Sequence, residues 1–118
     1  MDPKDIIVEL INTLHKEFEK DAPIIGAEII CKKSHAAKQL INMGEAVFPH
    51  LLAFLRTLKR TPKTKSDNVQ NAWMHIGVMI IDKHNINIRT VFSGNFERFI
   101  MCLDECIRLH NLDHGVYT

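Results

Sequence analysis

The sequence predicts an all-α domain of about five helices. Apolar residues recur at helical spacing along most of the chain, and glycines and prolines fall where helices would end or begin. No stretch shows the alternating pattern of a strand. The 118 residues suffice for one hydrophobic core. We expect a single domain with an N-terminal capping helix at 1–22, helix pairs at 23–60 and 66–110, and a tail at 111–118.

The first helix is predicted from its N-terminal signals and its apolar stripe. Asp2 can cap the helix, and Pro3 suits its first turn. The residue before a proline avoids helical angles, so we expect the helix to end near Pro23. Its apolar stripe consists of Ile7, Leu10, Ile11, Leu14 and Phe18.

The second segment, 23–43, is apolar around much of its circumference, which predicts a helix covered on several sides. Lys32 and Lys33 mark a candidate break, after which Ser34 can cap a second piece. The apolar residues are Ile24, Ile25, Ile29, Ile30, Cys31, Ala36, Ala37, Leu40 and Ile41.

The stretch "INMGEAVFPHLLAFL" at 41–55 is interpreted as a joint between two helices. Gly44 can end one helix in a left-handed conformation. Pro49 can lie in the first turn of the next helix, where its missing N–H has no intrahelical partner to lose. The core stripe of this next helix is Val47, Phe48, Leu51, Leu55 and Leu58.

Two more helices follow an exposed polar loop at 60–66. Ser66 or Asp67 can cap the first of them, and Gly77 lies beside its stripe, where a neighbouring helix could approach closely. The segment 84–92 has no helical period, and Ser93 or Asn95 is expected to begin the last helix. The inward residues are Val69, Ala72, Trp73, Ile76 and Ile80, then Phe96, Phe99, Ile100, Leu103 and Ile107.

Residues 36–84 contain an internal similarity at an offset of 36 residues. At this offset Ala72 aligns with Ala36, and Ile76 aligns with Leu40. The residues that carry the pattern are Ala36, Leu40, Gly44, Val47, Pro49, Leu51, Leu52, Leu55 and Asp67. This pattern resembles the HEAT-repeat family, in the form found in phycobilisome-lyase-like proteins, although one residue separates Val47 from Pro49. The resemblance implies stacked antiparallel helix pairs. An irregular five-helix bundle is the alternative.

Composition restricts the cellular setting and the class of partner. A net charge of +1 provides no overall field to attract nucleic acid or an anionic membrane. No apolar run reaches the length of a membrane span, and no secretory signal is recognisable at the N-terminus. Three cysteines, an odd number, are typical of reduced thiols. We therefore expect a cytoplasmic protein that does not enter membranes.

One alternative function is a metal or redox site on the last helix. Cys102, Cys106 and His110 are spaced i, i+4 and i+8, so they follow one side of the helix, and thiolates and imidazoles can bind zinc. Cys31 and His35 form another i, i+4 pair. The spacing is not that of a zinc knuckle, and free cysteines are commonly buried as small apolar residues. We therefore expect no metal.

A second alternative is binding of nucleic acid through a basic run, since HEAT-like proteins include DNA-binding glycosylases of alkylated bases. The run could neutralise phosphates, but it contains no aromatic residue for stacking. Its residues are Arg56, Lys59, Arg60, Lys63 and Lys65.

The leading hypothesis is a non-catalytic protein-binding module, such as an inhibitor, immunity or adaptor protein. No phosphate loop or nucleophile elbow appears, and Asp104 and Glu105 are adjacent in sequence, which is typical of a solvated face; we expect neither catalysis nor a cofactor. The resemblance implies that the second helix of each pair presents the contact surface to a protein partner. Self-association is also open. The implied contact residues are His50, Arg56, Thr57, Arg60, Arg98, Met101, Glu105 and Arg108.

Overall fold

The structure, a computed structural model, describes residues 3–58 and 66–110. It confirms the all-α class, with no strand in those two ranges. The helices are α1 (Pro3–Ile25), α2 (Ala27–Lys33), α3 (His35–Met43), α4 (Phe48–Leu58), α5 (Ser66–His84) and α6 (Phe96–Leu109), with a 3-10 helix at Gly44–Val47 between α3 and α4.

Helix α1 lies at the centre of the packing. It contacts α2, α3, α4 and α5, while α3 packs on α5 and α4 packs on α6. Leu14 and Phe18 on its inner face are fully buried. The Phe18 ring meets Trp73 of α5 edge to face, with 5.1 Å between ring centroids. This aromatic contact joins the first helix to the second half of the chain.

Helix α1 extends beyond its predicted end near Pro23 and stops at Ile25. Pro23 is exposed, and Glu19, whose carbonyl loses an intrahelical donor to the proline, is exposed as well. Water can therefore hydrate the carbonyl that Pro23 leaves unpaired. Gly26 ends the helix instead, with a φ of 84° and an N–H that donates to the Ala22 carbonyl at 3.1 Å.

The predicted break after Lys33 is confirmed. Ser34 adopts extended angles between α2 and α3, and its Oγ accepts a hydrogen bond from the Ala37 N–H at 3.1 Å. The same hydroxyl donates to Glu17 Oε2 of α1 at 2.6 Å. Ser34 therefore caps α3 and ties this corner to the first helix.

The joint at 41–55 is also confirmed. Gly44, with a φ of 75°, ends α3, and Pro49 is the second residue of α4. A Cβ on Gly44 would lie 3.1 Å from the imidazole of His84, so the glycine also allows the end of α5 to approach closely. The 3-10 helix between α3 and α4 buries Val47.

Helices α5 and α6 meet at Gly77. A Cβ there would lie 2.4 Å from Cε1 of Phe99, so only glycine admits the Phe99 ring. The irregular connection at 85–95 packs Phe92 against Phe99, with 5.0 Å between centroids. Asn95, one of the two residues predicted to begin α6, caps this helix by accepting a hydrogen bond from the Arg98 N–H at 3.1 Å.

Part of the predicted second segment is not covered by neighbours. Ile24, Ile25 and Ile29 are exposed by 80%, 41% and 43%, because the chain turns at Gly26 and faces these side chains away from the core. The prediction that this segment is covered on several sides is wrong at these positions. The loop at 60–66 lies almost entirely outside the described residues, as do the tail at 111–118 and the side chains of Ser66 and Asp67.

Candidate partner-binding face

Two arginines from adjacent helices converge on one carboxylate. Arg108 Nη2 of α6 lies 3.2 Å from Asp104 Oδ2, one helical turn earlier. Arg56 Nη2 of α4 lies 3.8 Å from Asp104 Oδ1. About half or more of each arginine side chain is exposed, so water screens both pairs and each contributes well under about 1 kcal/mol to stability. The closer Arg108 pair orients its guanidinium group, whereas the Arg56 pair is too long for a hydrogen bond and only brings a second positive charge to the same carboxylate.

The outer surface of α6 continues this face. Arg98, Met101 and Arg108 are spaced by three and seven residues, so they lie on one side of the helix, and all three are exposed. Met101 is 55% exposed. The opposite side of α6 buries Phe99, Leu103 and Ile107. We call the surface formed by Arg56, Arg98, Met101, Asp104 and Arg108 the α4–α6 face.

Two predicted contact residues on these helices have intramolecular partners. Glu105 Oε2 accepts a hydrogen bond from Thr90 Oγ1 at 2.6 Å, so Glu105 holds the 85–95 connection against α6. The Thr57 hydroxyl, although exposed, donates to the Phe54 carbonyl of its own helix at 2.5 Å. These contacts leave Glu105 and Thr57 less available to a partner than the arginines.

The remaining predicted contact residues do not join the face. His50 is 7% exposed, because the first turn of α4 lies inside the core, and its side chain is therefore not presented on the surface. Arg60 lies outside the described residues. Asp104, which organises the face, was interpreted from sequence only as a solvated residue. The signal that could have identified its role is its i, i+4 spacing to Arg108.

The basic run is described at only one position. Lys59, Arg60, Lys63 and Lys65 lie outside the described ranges. Arg56, the residue that is described, is directed to Asp104 of α6. Its charge is therefore partly neutralised within the protein, which weakens its use as a phosphate contact.

The thiols of α6 lie in the core. Cys102 and Cys106 are each 1% exposed. The Cys102 thiol is hydrogen-bonded to Cys106, which raises the pKa of Cys102 together with burial and lowers the pKa of Cys106. This pair is shielded from solvent.

The ring nitrogens of His110 make their polar contacts with residues other than the two thiols. Its Nδ1 lies 3.7 Å from Glu45 Oε2, and its Nε2 lies 3.3 Å from the Asn87 carbonyl. Over residues 3–58 and 66–110, no three or more His, Cys, Asp or Glu side chains are grouped so that they could hold a metal ion. The helical i, i+4 relation of Cys31 to His35 is also interrupted, since extended Ser34 separates their helices.

The comparisons with known proteins add no identification: no family model, curated protein or solved structure matches this chain. Among the helices in the described ranges, none combines the length and apolar character needed to cross a membrane.

Proposed function

We propose that this chain is a non-catalytic protein-binding module that contacts its partner through the α4–α6 face. The observation that carries the proposal is the convergence of Arg56 and Arg108 on Asp104, beside the exposed Met101. Arginine and methionine are enriched in protein–protein interfaces, where charge and apolar contact are combined.

The energetics of the face favour recognition over stability. An arginine that a neighbouring carboxylate already orients loses less conformational freedom on binding. Met101 adds an unbranched, polarizable side chain that adapts to the shape of a partner. The face therefore offers one apolar anchor between oriented charges, an arrangement typical of a small binding surface.

The HEAT-like arrangement is proposed with it. Helix α3 packs on α5 and α4 packs on α6, which is the stacking expected if two helix pairs lie side by side. Helices α3 and α4, both wholly within the described ranges, make little direct contact, so packing inside the first helix pair is not part of the support. The support thus comes from the contacts between the pairs.

An inhibitor, immunity or adaptor role agrees with a helical domain that covers part of another protein. These roles are proposed from size and architecture, and fold alone does not determine function. Each of these roles requires that the side chains of the α4–α6 face become buried in a complex.

The test is affinity capture of partner proteins from a cell lysate, with the tagged full chain as bait. The variants Met101→Glu and Arg108→Glu are used as baits in parallel. Ile24→Glu is the matched control, since Ile24 is also an exposed apolar residue but lies on α1. We expect a protein that is recovered at constant stoichiometry, survives nuclease treatment and is retained by Ile24→Glu but lost from both face variants. Loss of the captured material with nuclease, or equal capture by all variants, would overturn the proposal.

A further inference from the structure

A second surface lies on the other helices, between α3 and α5. It is a groove of about 710 Å³ that is open to solvent and is also lined by two residues of α2. Its apolar side chains are Cys31, Ile41 and Met79. Cys31 and Ile41 belong to the buried core, and Met79 packs partly buried against it. The floor of the groove is therefore apolar and fixed by the core. Met79 presents more of its surface to an occupant than Cys31 or Ile41, which are 1% and 7% exposed.

The rim of this groove is basic. Its lining includes three lysines, Lys32, Lys38 and Lys83, and a single carboxylate, that of Asp82. Lys32 pairs with Glu28 of its own helix at 3.3 Å, and Lys83 donates to Asn42 Oδ1. Lys38 is exposed and has no ion pair with any residue in the described ranges. An occupant with acidic groups at its edges would complement this rim.

We propose that the α3–α5 groove binds an amphipathic helix of a protein partner whose apolar stripe is flanked by Asp and Glu. An open groove leaves one side of its occupant in water, which suits a helix with a polar outer face. A small apolar ligand would instead need to be mostly enclosed. Met79 at the floor can adapt to different apolar side chains. This surface is separate from the α4–α6 face, and the proposal does not depend on that face.

The length of α3 sets the size of the recognised segment. Its nine residues extend about 14 Å at 1.5 Å per residue. A parallel or antiparallel helix would cover this length with about two and a half turns. The expected anchors are therefore apolar residues at i, i+3 or i+4, and i+7, with acidic residues on both flanks to reach the lysines.

The first experiment measures binding of designed, covalently stapled helical peptides by fluorescence anisotropy. One peptide has Leu at i, i+3, i+4 and i+7 with Glu on both flanks, and its control has Lys in place of each Glu. We expect the acidic peptide to bind at least about tenfold more tightly than the basic peptide, with an affinity that weakens as salt is added.

The second experiment locates the bound peptide through methionine methyl groups observed by NMR. Met79 reports on the groove and Met101 on the α4–α6 face. We expect the Met79 methyl resonance to shift on addition of the acidic peptide while the Met101 resonance stays in place. A shift at Met101 alone would overturn the groove proposal and would place the peptide on the α4–α6 face instead.

The substitution Lys38→Glu tests whether the basic rim attracts the acidic peptide. Its matched control is Lys16→Glu, an exposed lysine on α1 that does not line the groove. We expect Lys38→Glu to weaken the affinity for the acidic peptide at least about fivefold and Lys16→Glu to leave that affinity unchanged. Unfolding curves for both variants exclude a general loss of structure.

Three further outcomes contradict the proposal. The acidic and basic peptides could bind equally, or the acidic peptide could fail to bind at about 1 mM. The third is a shift of the Met79 resonance on addition of sodium dodecanoate but not on addition of the acidic peptide, which would assign the groove to a fatty acid instead of a helix.

Discussion

The contact between Gly77 and Phe99 gives the sharpest test of the packing. Substituting Gly77→Ala places a Cβ 2.4 Å from Cε1 and 2.7 Å from Cζ of Phe99. Carbon atoms in contact lie about 3.5–4.0 Å apart, so the ring or the whole of α6 must move by about 1 Å. Phe99 is fully buried and packs against both Phe92 and Phe96, which leaves little room for that movement.

Two effects of the substitution oppose each other. Overpacking a core costs up to about 3 kcal/mol, and this contact is close enough to require the upper part of the range. Gly77 lies in a helix without a positive φ, so alanine also gains about 1 kcal/mol of helix propensity. The expected net loss in the free energy of unfolding is about 2 kcal/mol, or about 8 °C in Tm for a chain of this size.

Urea unfolding followed by tryptophan fluorescence measures this loss, since Trp73 is the only tryptophan and is fully buried. Val78→Ala on the exposed side of α5 is the control for general effects on the helix. In the double variant Gly77→Ala/Phe99→Leu, the smaller side chain should relieve the clash, so the combined loss should be about 1 kcal/mol less than the sum of the single losses. A Gly77→Ala protein as stable as the parent, or strictly additive variants, would refute the close packing of α5 on α6.

Three other expectations follow from contacts elsewhere in the fold. Ser34→Ala removes both the cap of α3 and the hydrogen bond to Glu17, and should lower the free energy of unfolding in urea by about 1–2 kcal/mol. Thr57→Ala, which removes an exposed hydroxyl bonded within its own helix, is the control and should cost less. Burial lowers the pKa of His15, and Trp73 Nε1–H donates to its Nδ1 at 3.3 Å, so the folded state favours the neutral imidazole. Its contribution to stability should be complete above the unfolded pKa of about 6.5 and be lost as the pH falls from there through the lower folded-state pKa. His15→Gln should flatten that part of the pH profile of stability, and an unchanged profile would contradict the assignment. The three cysteines are each 1% exposed, so a thiol reagent should label almost none in the native protein and all three in urea; rapid native labelling would show that the thiols are accessible.

Local signals in the sequence were sufficient for the helix joints. Gly44 and Pro49 act through backbone geometry that depends on few neighbours, and Ser34 and Asn95 cap their helices through bonds within three residues. The end of α1 was misplaced because the effect of Pro23 depends on whether its surroundings are solvated. The exposure of Ile24 could not be derived from periodicity, since an apolar stripe does not specify whether a neighbour covers it.

The candidate site depended more strongly on contacts between distant residues. The i, i+4, i+8 spacing correctly placed Cys102 and Cys106 together, but His110 turns to Glu45 and Asn87, which are distant in sequence. His50 was assigned to a surface through the resemblance to helical repeats, whereas the first turn of α4 is buried. Arg56 and Arg108 were both selected, but their shared carboxylate becomes evident only when α4 and α6 are packed.

The packing of α6 links the stability of the protein to its proposed function. One side of this helix inserts Phe99 against Gly77, while the other side carries Met101 and Arg108. A displacement of α6 by about 1 Å would move these side chains relative to Arg56 on α4, and the 3.8 Å contact between Arg56 and Asp104 has little strength to resist it. A substitution in the core at Gly77 should therefore weaken partner capture even at temperatures where the protein remains folded. Met79 of the α3–α5 groove follows Gly77 by two positions and so points to nearly the opposite side of α5, which means that the acidic peptide should retain its affinity in the same variant.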